Sequence, residues 1–304
     1  MAPDGTDTES YESYQGLAVA SFPLLPASLA RMFSVDEHEH RLETARAAVR
    51  ADPCLMARIL ARTRDARPDN EYVAGFGLED LTPEQFLEAM EPADSLCSVS
   101  PKNDAQKHLW LHSLQVALIS EAIADTMEYE GVDGETAHAA GLLHDLGRFV
   151  AYARHPELPE LIEGHRPATP EDIVDAESLE YPINHSRIGE IVAVEWGLPG
   201  RLAVVMDQHH AVTPGADVRS IDARLLSIVR IADLASTLLM ADYLARSEEF
   251  LRRMAEFFDF TPLDAALREF GAEGVQEVAA LALPLSLQAF RELRLGETAY
   301  TEGR

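Results

Sequence analysis

Apolar residues recur at helical spacing along most of this chain, and the breaks between them carry turn and capping residues. Between Glu39 and Thr63, Leu42, Ala45 and Val49, then Leu55, Ile59 and Leu60, follow helical spacing. Asp52 and Pro53 supply a cap and a first-turn proline between the two runs, so a helical hairpin is expected there. The segment RPDNEYVAGFGLEDLTPEQ is rich in turn residues, and Thr82 with Pro83 starts another short helix. Leu111, Leu114, Leu118 and Ile123 mark the apolar side of a long helix over 105–128. Asp133 and Glu135 open a further one, expected to run unbroken to Arg154. Pro156, Pro159, Pro167 and Pro170 then cut the chain into short pieces. Asn184 caps a helix that stops at Gly197, 217–245 is helical again, and the pattern continues from Ser247 to Phe290 with breaks at Pro262 and Pro284. No segment alternates with period two, so the chain is read as all-α.

These elements divide into a polar, mobile tail (1–16), an N-terminal helical subdomain (17–100), a second helical body (101–215), and C-terminal helices with a polar end (216–304). With 304 residues, 47% of them hydrophobic and 25% charged, the chain has the balance of a globular protein with a sizeable core. Its formal charge of −27 opposes a grip on a nucleic-acid backbone, which depends on cations displacing counterions. The acidic start lacks the cationic face of a secretory signal, and the apolar stretch Leu17–Ala30 is broken by Pro23 and Pro26, so a cytoplasmic protein with no membrane span is expected. Cys54 and Cys97 lack metal or redox spacing and are expected to be buried thiols.

Candidate chemistry lies in the ordered series His112, His144-Asp145, His185, His209-His210 and Asp233. His112 shares a helix face with Val116, Ile119 and Ile123. The HD pair follows Leu142-Leu143, and Asp233 sits within LLSIVRIADLASTLL, so both carboxylates fall in apolar surroundings. An ionised carboxylate placed there costs several kcal/mol unless it is paired or metal-bound. One or two divalent ions answer for the whole set. Imidazole and carboxylate donors without thiolate suit Fe, Mn, Ni, Zn or Mg in an open hydrolytic site. The other histidines fall outside this pattern: His108 and the pair His38 and His40 read as solvated, the latter pair in a loop, and His138, His155 and His165 have no partner that spacing recommends.

The segments LWLHSLQVA, AGLLHDLGR, INHSRIGEIVAVEWGLP and DQHH resemble the HDOD domain, a helical signalling branch of the HD superfamily, over roughly residues 20–215. FPLLPASLARMF and VRADPCLMARIL are similar to its opening helices. The resemblance implies an HD-type helical bundle with an added N-terminal helical subdomain. Residue by residue it carries over the HD metal-ligand pattern to His112, His144, Asp145 and Asp233. His185, His209 and His210 match the additional histidines of the HD-GYP branch, which holds two or more metals. The chain departs from that branch in two places: Arg148 replaces the lysine after the HD pair, and HHAVTPGADVR lacks the Gly-Tyr-Pro element, which argues against cyclic-di-GMP hydrolysis. RTRDA also stands where HDOD domains carry an Asn-Ser pair.

Two functional readings remain. One is an HDOD-type regulatory protein whose metal centre hydrolyses a nucleotide or other phosphoester, with Asp145 and His144 at the chemistry and Arg148 reaching phosphate. The other is a non-catalytic module whose metal or ligand pocket sets the shape of a surface for a protein partner.

Overall fold

The computed structural model describes residues 14, 38–66, 74–89, 104–129, 131–211, 220–241 and 244–292. Cys97 and the opening FPLLPASLARMF segment lie outside them. Among the described residues the secondary structure is helical and no strand forms, only an isolated bridge between Tyr129 and Val132.

The N-terminal hairpin comprises α1 (His38–Ala51) and α2 (Pro53–Arg62). Asp52 caps α2, its carboxylate accepting from the backbone N–H of Cys54 at 3.0 Å and of Leu55 at 3.3 Å, with Pro53 in the first turn. His38 opens α1, so the loop expected around His38 and His40 is instead the start of a helix. After a 3₁₀ segment at Ala74–Asp80 comes α3 (Pro83–Ala89), introduced by Thr82. There the Thr82 hydroxyl accepts from Gln85 N–H while Gln85 Oε1 accepts from Thr82 N–H.

The body is organised around α4 (Asp104–Met127). It is flanked by α5 (Gly134–Leu143), α11 (Ile221–Met240) and α13 (Ala265–Glu292). Between them come α6 (Leu146–Arg154), α7 (Leu158–Gly164), α8 (Pro170–Glu180), α9 (His185–Trp196) and α10 (Gly200–Gln208), while α12 (Glu248–Phe257) packs on α13. The core is one continuous cluster that includes Leu55, Ile59, Val116, Ile119, Leu142, Leu143, Val192 and Ile228. Both tryptophans sit in it as expected, Trp110 packing edge-on against Phe149 with ring centroids 4.6 Å apart.

Two expected boundaries differ. The helix expected from Asp133 to Arg154 is interrupted at His144-Asp145, where Asp145 adopts φ −96°, ψ 18° and a new helix begins. Pro284 does not end its helix, because α13 continues through it to Glu292; the break in that helix lies earlier, at Gly271, with φ 54° and ψ −165°. Asn184 and Gly197 bound α9 as read, Gly197 taking the left-handed conformation (φ 64°) that closes a helix. None of the described helices is long and apolar enough to cross a membrane.

Candidate metal centre

The residues of the His/Asp series arrive from five places in the chain, His209 and His210 together from the end of α10. His112 comes from the middle of α4 and Asp233 from the middle of α11, while His144 and Asp145 occupy the break between α5 and α6. His185 is the first residue of α9, and His209 follows the last residue of α10. Two glycines let these helices close in. A Cβ on Gly141 would lie 2.9 Å from the Val116 carbonyl oxygen, so α5 packs against the backbone of α4 and brings His144 to His112. A Cβ on Gly147 would lie 1.9 Å from the His185 carbonyl oxygen, so only glycine allows the start of α9 to sit against α6. Asp145 precedes α6 without capping it, which leaves its carboxylate to the centre.

The seven side chains form two groups joined by Asp145. Asp145 Oδ2 lies 3.7 Å from His112 Nε2 and 3.7 Å from His144 Nε2. Asp233 Oδ1 completes that first group at 3.2 Å from His112 Nε2 and 3.9 Å from His144 Nε2. Asp145 Oδ1 faces the other way, 3.1 Å from His185 Nε2 and 3.7 Å from His209 Nε2. His210 Nε2 joins this second group at 3.0 Å from His185 Nε2. The ligand-type atoms of His112, His144 and Asp233 lie within 4.8 Å of one another, and so do those of Asp145, His185, His209 and His210.

Hydrogen bonds behind the rings fix which nitrogen points inward. His144 Nδ1 donates to the Gly141 carbonyl at 2.7 Å, and His209 Nδ1 to the Val205 and Met206 carbonyls at 3.0 Å each. Ser236 donates its hydroxyl to Gln115 Oε1 at 2.8 Å, so it accepts from His112 Nδ1 at 2.9 Å. His185 Nδ1 donates to Glu177 Oε2 at 2.6 Å. In all four rings Nε2 is thereby the nitrogen turned into the centre. His210 is the exception, its buried Nδ1 having no hydrogen-bond partner.

The donor set fits a divalent cation. His144 Nε2 is buried without a hydrogen-bond partner, a cost that a bound cation removes. His185 Nε2 and His209 Nε2 stand 3.3 Å apart, and their lone pairs repel unless a proton or a cation lies between them. Burial holds His144 down to about 4, only partly offset by Asp145 and Asp233. Burial also opposes charge on His185, but the carboxylates of Glu177 and Asp145 on either side override it and push the ring up to about 9. Burial would raise Asp145, yet His144, Arg148 and His185 hold it well below the usual carboxylate range. His185 therefore carries a proton toward Asp145 when no cation is bound, in the position that a cation would take.

Arg148 is part-buried, its side chain 14% exposed, with its fork committed. It donates to Asp145 Oδ2 at 2.9 Å and to the Tyr152 hydroxyl at 2.9 and 3.1 Å, with Glu177 Oε1 3.8 Å away. A cleft of about 150 Å³ reaches the centre from one side, its lining including His108, His112, Arg148, Tyr152, Ile162 and Ile173. Of the His/Asp series only His112 lines it.

Glu177, Ser236 and Gln115 were not singled out from sequence. Glu177 lies in the acidic helix PEDIVDAESLE, where its signal was its place four residues after Ile173 on the inward side. His138, for which spacing recommends no partner, meets Glu121 Oε2 at 2.8 Å and the Arg50 carbonyl at 2.9 Å. His155 likewise meets Tyr181, at 2.6 Å, and His165 meets Glu180, also at 2.6 Å.

Residues 88–212 match the family model of the HDOD domain, a span that holds every residue of the series except Asp233. No curated protein matches the sequence. The fold is similar to the crystal structure of the MmoQ response regulator from Methylococcus capsulatus str. Bath, with a TM-score of 0.59 and 19% identity, covering 86% of this chain and 96% of that one. It is also similar to a candidate phosphohydrolase from Shewanella amazonensis SB2B, with a TM-score of 0.51 and 15% identity, covering 96% and 99% of the two chains. At these identities the likeness is one of fold. An all-helical body, a centre built from an interrupted helix at the HD pair, and the family match together identify residues 88–212 of this chain as an HDOD domain.

Proposed function

We propose that this is an HDOD-type regulatory protein whose His/Asp centre would hold two divalent metal ions, with Asp145 common to both groups of ligands, and would hydrolyse a small phosphoester. The observation that carries this reading is the division of the Asp145 carboxylate, Oδ2 toward His112 and His144, Oδ1 toward His185 and His209. Two ions in such positions supply Lewis acidity to a phosphoryl oxygen and a water that deprotonates near neutral pH. The chain's own part is orientation and exclusion. His112, His144 and Asp233 would hold the first ion, and His185, His209 and His210 the second. Arg148 binds Asp145 Oδ2 and offsets its charge, which favours a role in holding Asp145 over one in gripping phosphate. The cleft above His112 accepts a phosphoryl group with a few further atoms; at about 150 Å³ it lies below the roughly 300 Å³ at which sites for drug-sized ligands begin.

The test is metal analysis of the purified chain, then turnover of phosphomonoesters, nucleotides and a generic phosphodiester with Mn or Fe added. Two metals per chain with turnover, lost in Asp145→Ala without unfolding, supports the enzyme. Bound metal with no turnover on any substrate moves the reading to a binding module in which the centre sets the shape of a partner surface. That second reading draws on the enclosure of the second group, none of whose histidines lines the cleft.

A further inference from the structure

Glu177 is a buried carboxylate on α8, eight residues before His185, and nothing in the ligand pattern calls for it. Burying it must be offset by hydrogen bonds or charge. Its Oε2 accepts twice from one residue, from His185 Nδ1 at 2.6 Å and from the His185 backbone N–H at 2.9 Å. The first bond fixes the ring tautomer. The second holds the first turn of α9, whose free N–H groups also favour an anion there. One oxygen thus clamps both the backbone and the ring of His185. Its other oxygen accepts no hydrogen bond and faces Arg148 Nε at 3.8 Å, the same guanidinium that grips Asp145.

His112, His144 and His209 are oriented differently, by neutral groups of the scaffold: a serine hydroxyl and backbone carbonyls. Among the four rings whose Nδ1 is bonded, His185 is the one backed by a carboxylate. A carboxylate behind an imidazole raises its basicity as a ligand as well as fixing its direction. Glu177 bonds to His185, and it reaches Asp145 by two routes, through the His185 ring to Oδ1 and through Arg148 to Oδ2.

We infer that Glu177 is the positioning residue of the second metal position, aligning His185 Nε2 with Asp145 Oδ1 and making that position separable from the one at His112, His144 and Asp233. The inference rests on the metal-centre reading above. Its test is titration of the metal-free full chain with Co²⁺, following visible absorption and bound metal per chain, for the wild type, Glu177→Gln and Glu177→Ala. A two-step titration is expected in the wild type. In Glu177→Ala the second step weakens by about 10–100-fold while the first is unchanged. Glu177→Gln keeps an acceptor without the charge and falls between the two. It also answers the case in which Glu177→Ala does not fold. Two steps that weaken together would make Glu177 a general structural residue and overturn the inference, as would a second step unmoved in both variants. A wild type that binds two ions with no turnover leaves this inference standing and removes only the hydrolase reading. A wild type that binds none removes both.

Discussion

His138 and His144 lie six residues apart, His138 on α5 and His144 just past its end, both buried, yet they are spent in opposite ways. Each nitrogen of His138 faces an acceptor, Glu121 Oε2 on one side and the Arg50 carbonyl on the other. Arg50 adds a salt bridge to Glu121 at 2.8 Å and another to Glu135, so the ring belongs to a charged staple joining α1 to α4 and α5. His144 has one nitrogen bonded to a carbonyl and the other bonded to nothing. Burial alone therefore does not identify a ligand. What separates the two is whether the second nitrogen has a protein partner, and only His144 keeps a lone pair for something from outside.

The strongest way to break this contrast is at Asp145, which serves both halves of the centre. Asp145→Ala should abolish binding at both positions and leave the part-buried Arg148 without its carboxylate partner. Breaking a fully buried ion pair costs about 3–5 kcal/mol, and because Arg148 is part-exposed the loss here should fall below that range, which urea unfolding of the metal-free protein would reveal. A variant that still binds two ions would remove the bridge from the scheme.

The paired variants His138→Ala and His144→Ala test the contrast itself. His138→Ala takes one partner from part-buried Glu121, which keeps Arg50, and should cost about 1–2 kcal/mol with metal content intact. His144→Ala should empty the first position while costing the metal-free chain less. Equal metal loss in both variants would show that the staple and the centre act as one unit.

Acid separates them further. Burial raises Glu121, but the hydrogen bond from His138 and the charge of Arg50 hold it below its ordinary value in the folded chain. Its contribution to stability is thus complete above the unfolded carboxylate value of about 4.3 and is lost as pH falls through the lower folded value. Glu121→Gln should flatten the acid limb of the stability curve of the metal-free chain, measured by urea midpoints between pH 6 and pH 3 in about half-unit steps. An acid limb identical to that of the wild type would exclude Glu121 as its source. The smallest effect is expected from Ser236→Ala, which frees the Nδ1 of His112; first-position affinity should fall about tenfold and the second should not change.

Much of this was legible in the chain. Asp52, Thr82, Asn184 and Gly197 announce helix ends through local chemistry, and their bonds form as that chemistry dictates. His112, Asp145 and Asp233 stood out because a polar group on an apolar helix face needs a reason. Glu177 did not, since it sits among the carboxylates of a helix that is mostly solvated, and only its rotation toward α9 distinguishes it. His138 was hidden because its partners are 17 and 88 residues away. The interruption at the HD pair was equally hidden, because Leu142 through Leu146 keep an apolar helical pattern across a break that tertiary packing imposes.

The contact at Gly147 has a consequence for metal choice. Because α6 meets the backbone of α9 there, the interval between Asp145 and His185 is gauged by main chain and not by rotatable side chains. On the proposed reading, the second position would in that sense be machined to a fixed clearance. An ion too large for it cannot be accommodated by a rotamer change alone, so discrimination among cations of different radius would be stricter there than at the first position, where His112 borders an open cleft.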